Sequence, residues 1–126
     1  MRQLSDFQWK HRVVASEWPA DKQAQRELLQ LLTRLSEDLK ERKLYFFFFS
    51  GELGYELSLY LKENQPPSFE PILNKKLEEA LHNQRKQHHT VLIGLDGGRK
   101  QVYDSFNLEA IVADIERMPM RRAELK

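Results

Sequence analysis

Several groups of residues in this chain carry side chains able to do chemistry. Ser16, His11 and Asp21 are the types of a nucleophile, a base and an orienting acid. Nothing in their spacing makes them converge, and no nucleophile elbow surrounds Ser16. Glu78 stands four residues before His82, a helical spacing at which two ligands can meet one zinc ion, and His88 and His89 follow. A zinc site needs further donors and an outer layer of hydrogen bonds. Adjacent His88 and His89 point to opposite faces if extended, so they read as solvated histidines, and no metal or other cofactor is expected.

Asp96-Gly97-Gly98 has the composition of a phosphate loop. Neither G-x-G-x-x-G nor a P-loop is present, and a turn between strands offers no helix N-terminus to an anion. It reads as a hairpin turn. Met118-Pro119-Met120-Arg121-Arg122 offers two thioethers with no further soft ligand nearby, which suits packing. Its arginines leave two readings open. Arg121 and Arg122 either pair with carboxylates of the chain as a C-terminal anchor, or meet an acidic partner or ligand through the planar guanidinium.

The elements that would position these groups follow from periodicity. Val13-Val14-Ala15, between charged flanks, suits a short first strand, broken at Trp18-Pro19-Ala20-Asp21. From Asp21 the positions Ala24, Leu28, Leu31, Leu32, Leu35 and Leu39 form one apolar stripe, which predicts a long helix. Leu44-Tyr45-Phe46-Phe47-Phe48-Phe49 lacks alternation, as expected of a strand covered on both faces. Strand, helix and buried strand make a βαβ unit.

Ser50-Gly51 ends that strand, and Leu53, Leu57, Tyr60 and Leu61 line a short second helix. Asn64-Gln65-Pro66-Pro67-Ser68 is a loop. Ile72, Leu73, Leu77, Ala80 and Leu81 mark another helix with Pro71 in its first turn. Val91-Leu92-Ile93, the turn, and Val102-Tyr103 form a hairpin, and Asn107 caps a last helix with apolar Leu108, Ile111, Val112 and Ile115. Pro119 stops that helix. The expected architecture is one α/β domain over residues 1–126: βαβ, a helical insertion, then ββα, with a mixed sheet of about four strands and helices on both faces. That is the layout of a thioredoxin-like sandwich.

Composition narrows the function classes. The net charge of +1 leaves no basic excess for nucleic acid. The longest apolar run is too short to span a bilayer as a helix, so neither nucleic acid nor membrane is an expected partner. With no cysteine, the chain has no disulfide, no thiolate catalysis and no thiolate metal site. The first residues lack the apolar core of a secretory signal. The chain as written is expected in the cytoplasm; earlier removal of a signal peptide would make it periplasmic or secreted.

Three segments carry a resemblance: Asp6-Phe7-Gln8-Trp9-Lys10, Leu92-Ile93-Gly94-Leu95-Asp96-Gly97-Gly98, and Met118-Pro119-Met120-Arg121-Arg122-Ala123-Glu124. They resemble a family of bacterial thioredoxin-like domains, domain of unknown function 4174. Related domains look to be repeated in sushi-repeat-containing and equarin-type proteins. The resemblance covers both ends of the chain and fades between about Gly51 and His89. It brings no established activity.

The fold it implies offers a comparison. Thioredoxins carry W-C-G-P-C-K after the first core strand, where a helix N-terminus activates the thiolate. Trp18-Pro19-Ala20-Asp21-Lys22 stands there, with no sulfur, and His88-His89-Thr90 replaces the proline expected before the hairpin strand. Thiol-disulfide exchange is excluded for the chain acting alone. Thioredoxin folds present a peptide groove beside this turn, so the resemblance implies Trp18, Pro19 and Thr90 as binding positions. The leading expectation is a non-catalytic binding or interaction module with a protein or peptide partner. The alternatives are an enzyme of peroxiredoxin or oxidoreductase descent using non-thiol residues or a cofactor, and a structural homodimer subunit.

Overall fold

The computed structural model describes residues 3–59 and 68–124, without the side chains of Ser68 and Met120. Its centre is set by Leu44–Ser50, here β2, in which every residue from Leu44 to Phe49 is buried. Side chains alternate across a strand, so the aromatic run feeds two cores at once. Phe46 and Phe48 enter the cluster under Leu28, Leu32, Leu108, Ile111 and Ile115. Tyr45, Phe47 and Phe49 enter the opposite cluster with Phe7, Leu77 and Leu81.

β1 (Arg12–Glu17) pairs with β2 in parallel, Val14 opposite Phe46. The connection runs through α1 (Lys22–Arg34) and α2 (Ser36–Glu41). Asp21 caps α1, its Oδ2 accepting from the Ala24 amide at 3.0 Å. The single helix expected over this stretch is two helices, broken at Leu35, where ψ is +14°. Leu39 is still buried because a new helix starts at once.

Among the described residues the sheet holds six strands rather than about four, in the order β4-β3-β2-β1-β5-β6. The extra pair arises where a short helix was expected. Leu53–Ser58 is β3, antiparallel to β2, and Ser68–Pro71 is β4, antiparallel to β3. Gly54, Leu57 and Leu59 are buried. The decisive factor is β2, an aromatic strand whose outer backbone edge needs a ladder partner. Gly51, at φ +63°, makes the tight reversal that supplies one.

Tyr60, Leu61 and most of the expected loop at 64–68 lie outside the described residues. Pro71 ends β4 at the sheet's edge instead of opening a helix, a place where its missing N–H costs no ladder bond. Helix α3 (Lys75–Arg85) begins four residues later, after Asn74, whose Oδ1 accepts from the amides of Lys76 and Leu77. Leu73 is left exposed.

β5 (Thr90–Ile93) lies antiparallel to β1, and β6 (Arg99–Tyr103) completes the hairpin. Asn107 caps α4 (Leu108–Glu116), accepting from the Ala110 amide at 3.1 Å. The Tyr103 hydroxyl donates to Asp114 at 2.7 Å and ties β6 to α4. α1, α2 and α4 cover one face of the sheet, while α3 and a 3-10 turn at Leu4–Phe7 cover the other. Pro119 does not simply stop the chain's helical path. It opens α5 (Pro119–Glu124), because proline fits a first helical position where no amide is needed.

Candidate functional site

Polar side chains converge where the C-terminal end of β1 meets the N-terminal end of β5. Ser16 and Thr90 are register partners, both fully buried. Their hydroxyl oxygens lie 2.8 Å apart. Thr90 Oγ1 is also 2.7 Å from His89 Nδ1, and His89 Nε2 faces Glu17 Oε2 at 3.6 Å. Arg85 enters from α3. Its Nη1 donates to the carbonyls of His88 and His89 at 3.2 and 3.1 Å and lies 3.9 Å from Glu17. Burial holds the Arg85 guanidinium below its ordinary value, with Glu17 pulling the other way.

This succession can run in two senses. With Nδ1 protonated, His89 donates to Thr90, Thr90 to Ser16, and Ser16 to the Glu17 carbonyl at 3.2 Å. With Nε2 protonated, Thr90 donates to Nδ1 and Nε2 faces Glu17, the order of a nucleophile, a base and an acid. Thr90 is closed to solvent, so no solute meets its hydroxyl in this conformation.

The positions implied by the fold comparison surround this corner. Trp18 is half-buried, stacked on Phe69 of β4 at 4.7 Å and tilted against Phe48 at 5.3 Å. Tyr55 extends the stack, 5.2 Å from Phe69. Pro19 is half-buried, its carbonyl accepting from Gln25 at 2.6 Å. Of Ser16, His11 and Asp21, only Ser16 belongs to the corner. Asp21 is the α1 cap, and His11 packs beside Phe7 and Tyr45, where burial lowers its pKa.

The histidines are dispersed. His82 lies against the Phe49 ring at 4.4 Å, and Glu78 accepts from the Gly54 amide at 3.0 Å. Among the described residues no three His, Cys, Asp or Glu side chains group as a metal site. Nor is any described helix long and apolar enough to cross a membrane.

The other end of β1 gathers the C-terminal arginines. Arg121 is 3% exposed. Its Nη2 donates to Glu41 at 2.9 Å and its Nε to Glu116 at 3.2 Å, with Glu124 at 3.5 Å. Burial lowers the Arg121 pKa, but these carboxylates more than offset it. Burial likewise raises Glu116 and Glu124, and the neighbouring cations bring both below the ordinary carboxylate value. Arg122 is exposed and Met118 packs partly on the core; the Met120 side chain lies outside the described residues.

A wide groove runs between α1–α2 and α4. It encloses about 730 Å³, with half-buried Leu31, Leu35, Phe106 and Val112 and exposed Arg34 and Asp38 among its walls. Sequence reasoning assigned these leucines and Val112 wholly to the core, and it missed Glu17, Arg85 and Arg12. Nothing in the spacing marks those three, because only the strand register and the α3 and α5 docking bring their partners to them.

A family model described as "Domain of unknown function (DUF4174)" matches residues 3–124, so the chain belongs to that family. The match runs through the middle of the chain as well, including the stretch between about Gly51 and His89 where the resemblance fades. No curated protein and no solved structure matches it.

Proposed function

We propose that this member of the DUF4174 family is a non-catalytic binding module on a thioredoxin-like frame, and that it takes an amphipathic helical segment of another protein. The parallel β1–β2 unit, the later β5–β6 hairpin, α4 and helices on both faces support the frame, with β3–β4 added at the β2 edge.

The observation that carries the binding reading is the contrast between the two concave places. The corner beside Trp18 holds hydroxyls bonded to each other and shut off from solvent. The groove between α1–α2 and α4 is open and has an aliphatic floor. Leu31 on α1 and Leu35 at its C-terminal end recur one turn apart, as do Leu108 and Val112 on α4, so the floor follows the helix axes and suits a third helix. Arg34, Asp38 and Glu109 are all exposed at the groove, so its rim carries both signs and favours charged residues of both signs on the partner. Trp18 and Pro19 are then frame residues, Thr90 an internal one, and Arg122 an accessible cation outside the groove.

The test is selection of a phage-displayed random peptide library on the folded protein. Enriched peptides should show apolar residues one helical turn apart with charged residues of both signs beside them, and should be lost from Val112→Glu and Arg34→Glu proteins. No enrichment, or peptides indifferent to both substitutions, defeats the groove. Peptides lost only on Trp18→Ala would move recognition to the Trp18 corner.

A second reading rests on the Thr90–His89–Glu17 succession, with Thr90 as a nucleophile in an enzyme. It requires that the corner open to admit substrate. Hydrolysis of an activated ester that is lost on both Thr90→Val and His89→Gln would support it.

A further inference from the structure

The sheet ends on two edges that differ chemically. At the β4 edge the Ile72 amide donates to the Gly54 carbonyl, so Phe69 and Pro71 turn their backbone outward, and Pro71 has no N–H to offer. Proline blunts that edge. The other edge is β6 (Arg99–Tyr103), which contains no proline. The Glu17 amide donates to the His89 carbonyl, which turns Val91 and Ile93 toward β1 and leaves Thr90 and Leu92 to bond β6. Their partners Tyr103 and Gln101 therefore face inward, and Val102 and Asp104 present N–H and C=O outward. Among the described residues no further strand pairs with this edge.

The side chains along the edge complement a reversed copy of themselves. Val102 lies opposite Val91 on the α3 face of the sheet, yet is 41% exposed. Arg99 is on the same face, donating to the Gln84 carbonyl of α3 at 2.9 Å. The register shifts between Leu92 and Ile93 and leaves Lys100 unmatched in the ladder, its ammonium drawn back to Asp96 at 2.7 Å. Tyr103 reaches Asp114 on the opposite face, so alternation returns Asp104 to the face of Val102. Arg99 and Asp104 are exposed, and among the described residues neither makes an ion pair. A cation thus begins the strand, an anion follows its end, and an exposed valine stands between them. An antiparallel copy sets each charge against its opposite.

We infer that β6 pairs with β6 of a second copy of this chain, antiparallel about a two-fold axis at Val102, and joins the two sheets into one. Val102 then meets its own copy. The two bulge residues, Arg99 and Lys100, oppose Asp104 of the other protomer at each end of the ladder. The α1–α4 groove lies on the opposite face from Val102, so the two readings stand or fall separately.

The experiment is sedimentation velocity of the full chain from micromolar to millimolar concentration, with amide hydrogen exchange followed by NMR on the same samples. The chain should sediment as a dimer at the high end, and the Val102 amide should exchange about tenfold or more slowly there than on dilution. Val102→Lys sets like charges on the axis and should sediment as a monomer while its amide spectrum stays dispersed. Arg99→Asp and Asp104→Arg should each raise the dissociation constant by about tenfold, and the double exchange should restore it. A chain that is monomeric at every concentration overturns the proposal, the lysine and the bulge then serving to guard the edge. A dimer whose Val102 amide exchanges as fast as in the monomer, or one that survives Val102→Lys, overturns the placement at β6. A double exchange no better than either single one overturns the alignment at Val102.

Discussion

Ser16 and Thr90 face each other across the β1–β5 ladder with hydroxyl oxygens 2.8 Å apart, both fully buried, at the point where the first strand turns into Trp18-Pro19. The pair satisfies itself inside the sheet, and His89 extends it to the surface at Glu17. Removing one hydroxyl leaves the other with its second partner, His89 for Thr90 or the Glu17 carbonyl for Ser16, and removing both takes the shared bond away only once. Ser16→Ala or Thr90→Val alone should therefore cost about 0.5–1.5 kcal/mol. The double variant should cost less than the sum of the two. Urea midpoints of the four proteins check this, and strict additivity would mean that the hydroxyls are not coupled.

The aromatic strand β2 should dominate stability. Phe47 and Phe48 are both fully buried but face opposite clusters. Each replacement by Ala should cost about 3–5 kcal/mol, combining lost transfer energy and a cavity. Because the two lie in separate clusters, a denaturation series should show similar losses for each. A midpoint that barely moves for one of them would show that its face of the sheet is not closed.

Arg121 should behave as an anchor. It is buried among Glu41, Glu116 and Glu124, so Arg121→Met strips three carboxylates of a shared cation. The expected loss is about 3–5 kcal/mol. Arg122→Met, at an exposed position, should stay within about 0.5 kcal/mol of the parent. Equal effects at the two positions in thermal melts would contradict the assignment of the anchor to Arg121.

Acid should loosen the same cluster. Glu116 and Glu124 are held below their ordinary value of 4.5, against the upward push of burial, by Arg42 and Arg121 at one and by Arg12 and Lys43 at the other. As pH falls below 4.5, the unfolded chain takes up protons that these folded carboxylates still refuse. Their stabilisation is present above that value and is lost as pH falls through the folded one. The melting temperature should therefore drop between about pH 5 and pH 3, and a Glu116→Gln/Glu124→Gln protein should start lower and fall less steeply. Parallel curves would remove these carboxylates from the acid transition.

Insulin reduction and thiol-dependent peroxide turnover should both be absent from purified protein, since no thiolate exists to attack. Turnover that survives removal of contaminating thioredoxin would overturn this.

Local chemistry alone determined much of the chain. The cap at Asn107, the start of a helix at Asp21, the apolar stripe of α1, the two-faced run Leu44–Phe49 and the Asp96-Gly97-Gly98 turn are readable because each signal lies within a few residues of its effect. The absence of cysteine removed a whole chemistry with no geometry needed. The segment from Leu53 was misread because leucines four apart suit a helix and a strand edge equally until β2 demands a partner. Pro119 looked like a stop, yet the same fixed φ that ends one helix starts another.

The candidate sites belonged to the tertiary structure. Thr90 meets Ser16 across 74 positions, and Arg12 meets Glu124 across 112. A hydroxyl or guanidinium has no fixed role until strand register and helix docking decide what surrounds it, and burial then decides how much each unmatched donor matters. That is why Arg12, unremarkable as one basic residue among its neighbours, became a buried cation, with two donors unmatched among the described residues, only once β1, α4 and α5 were packed together.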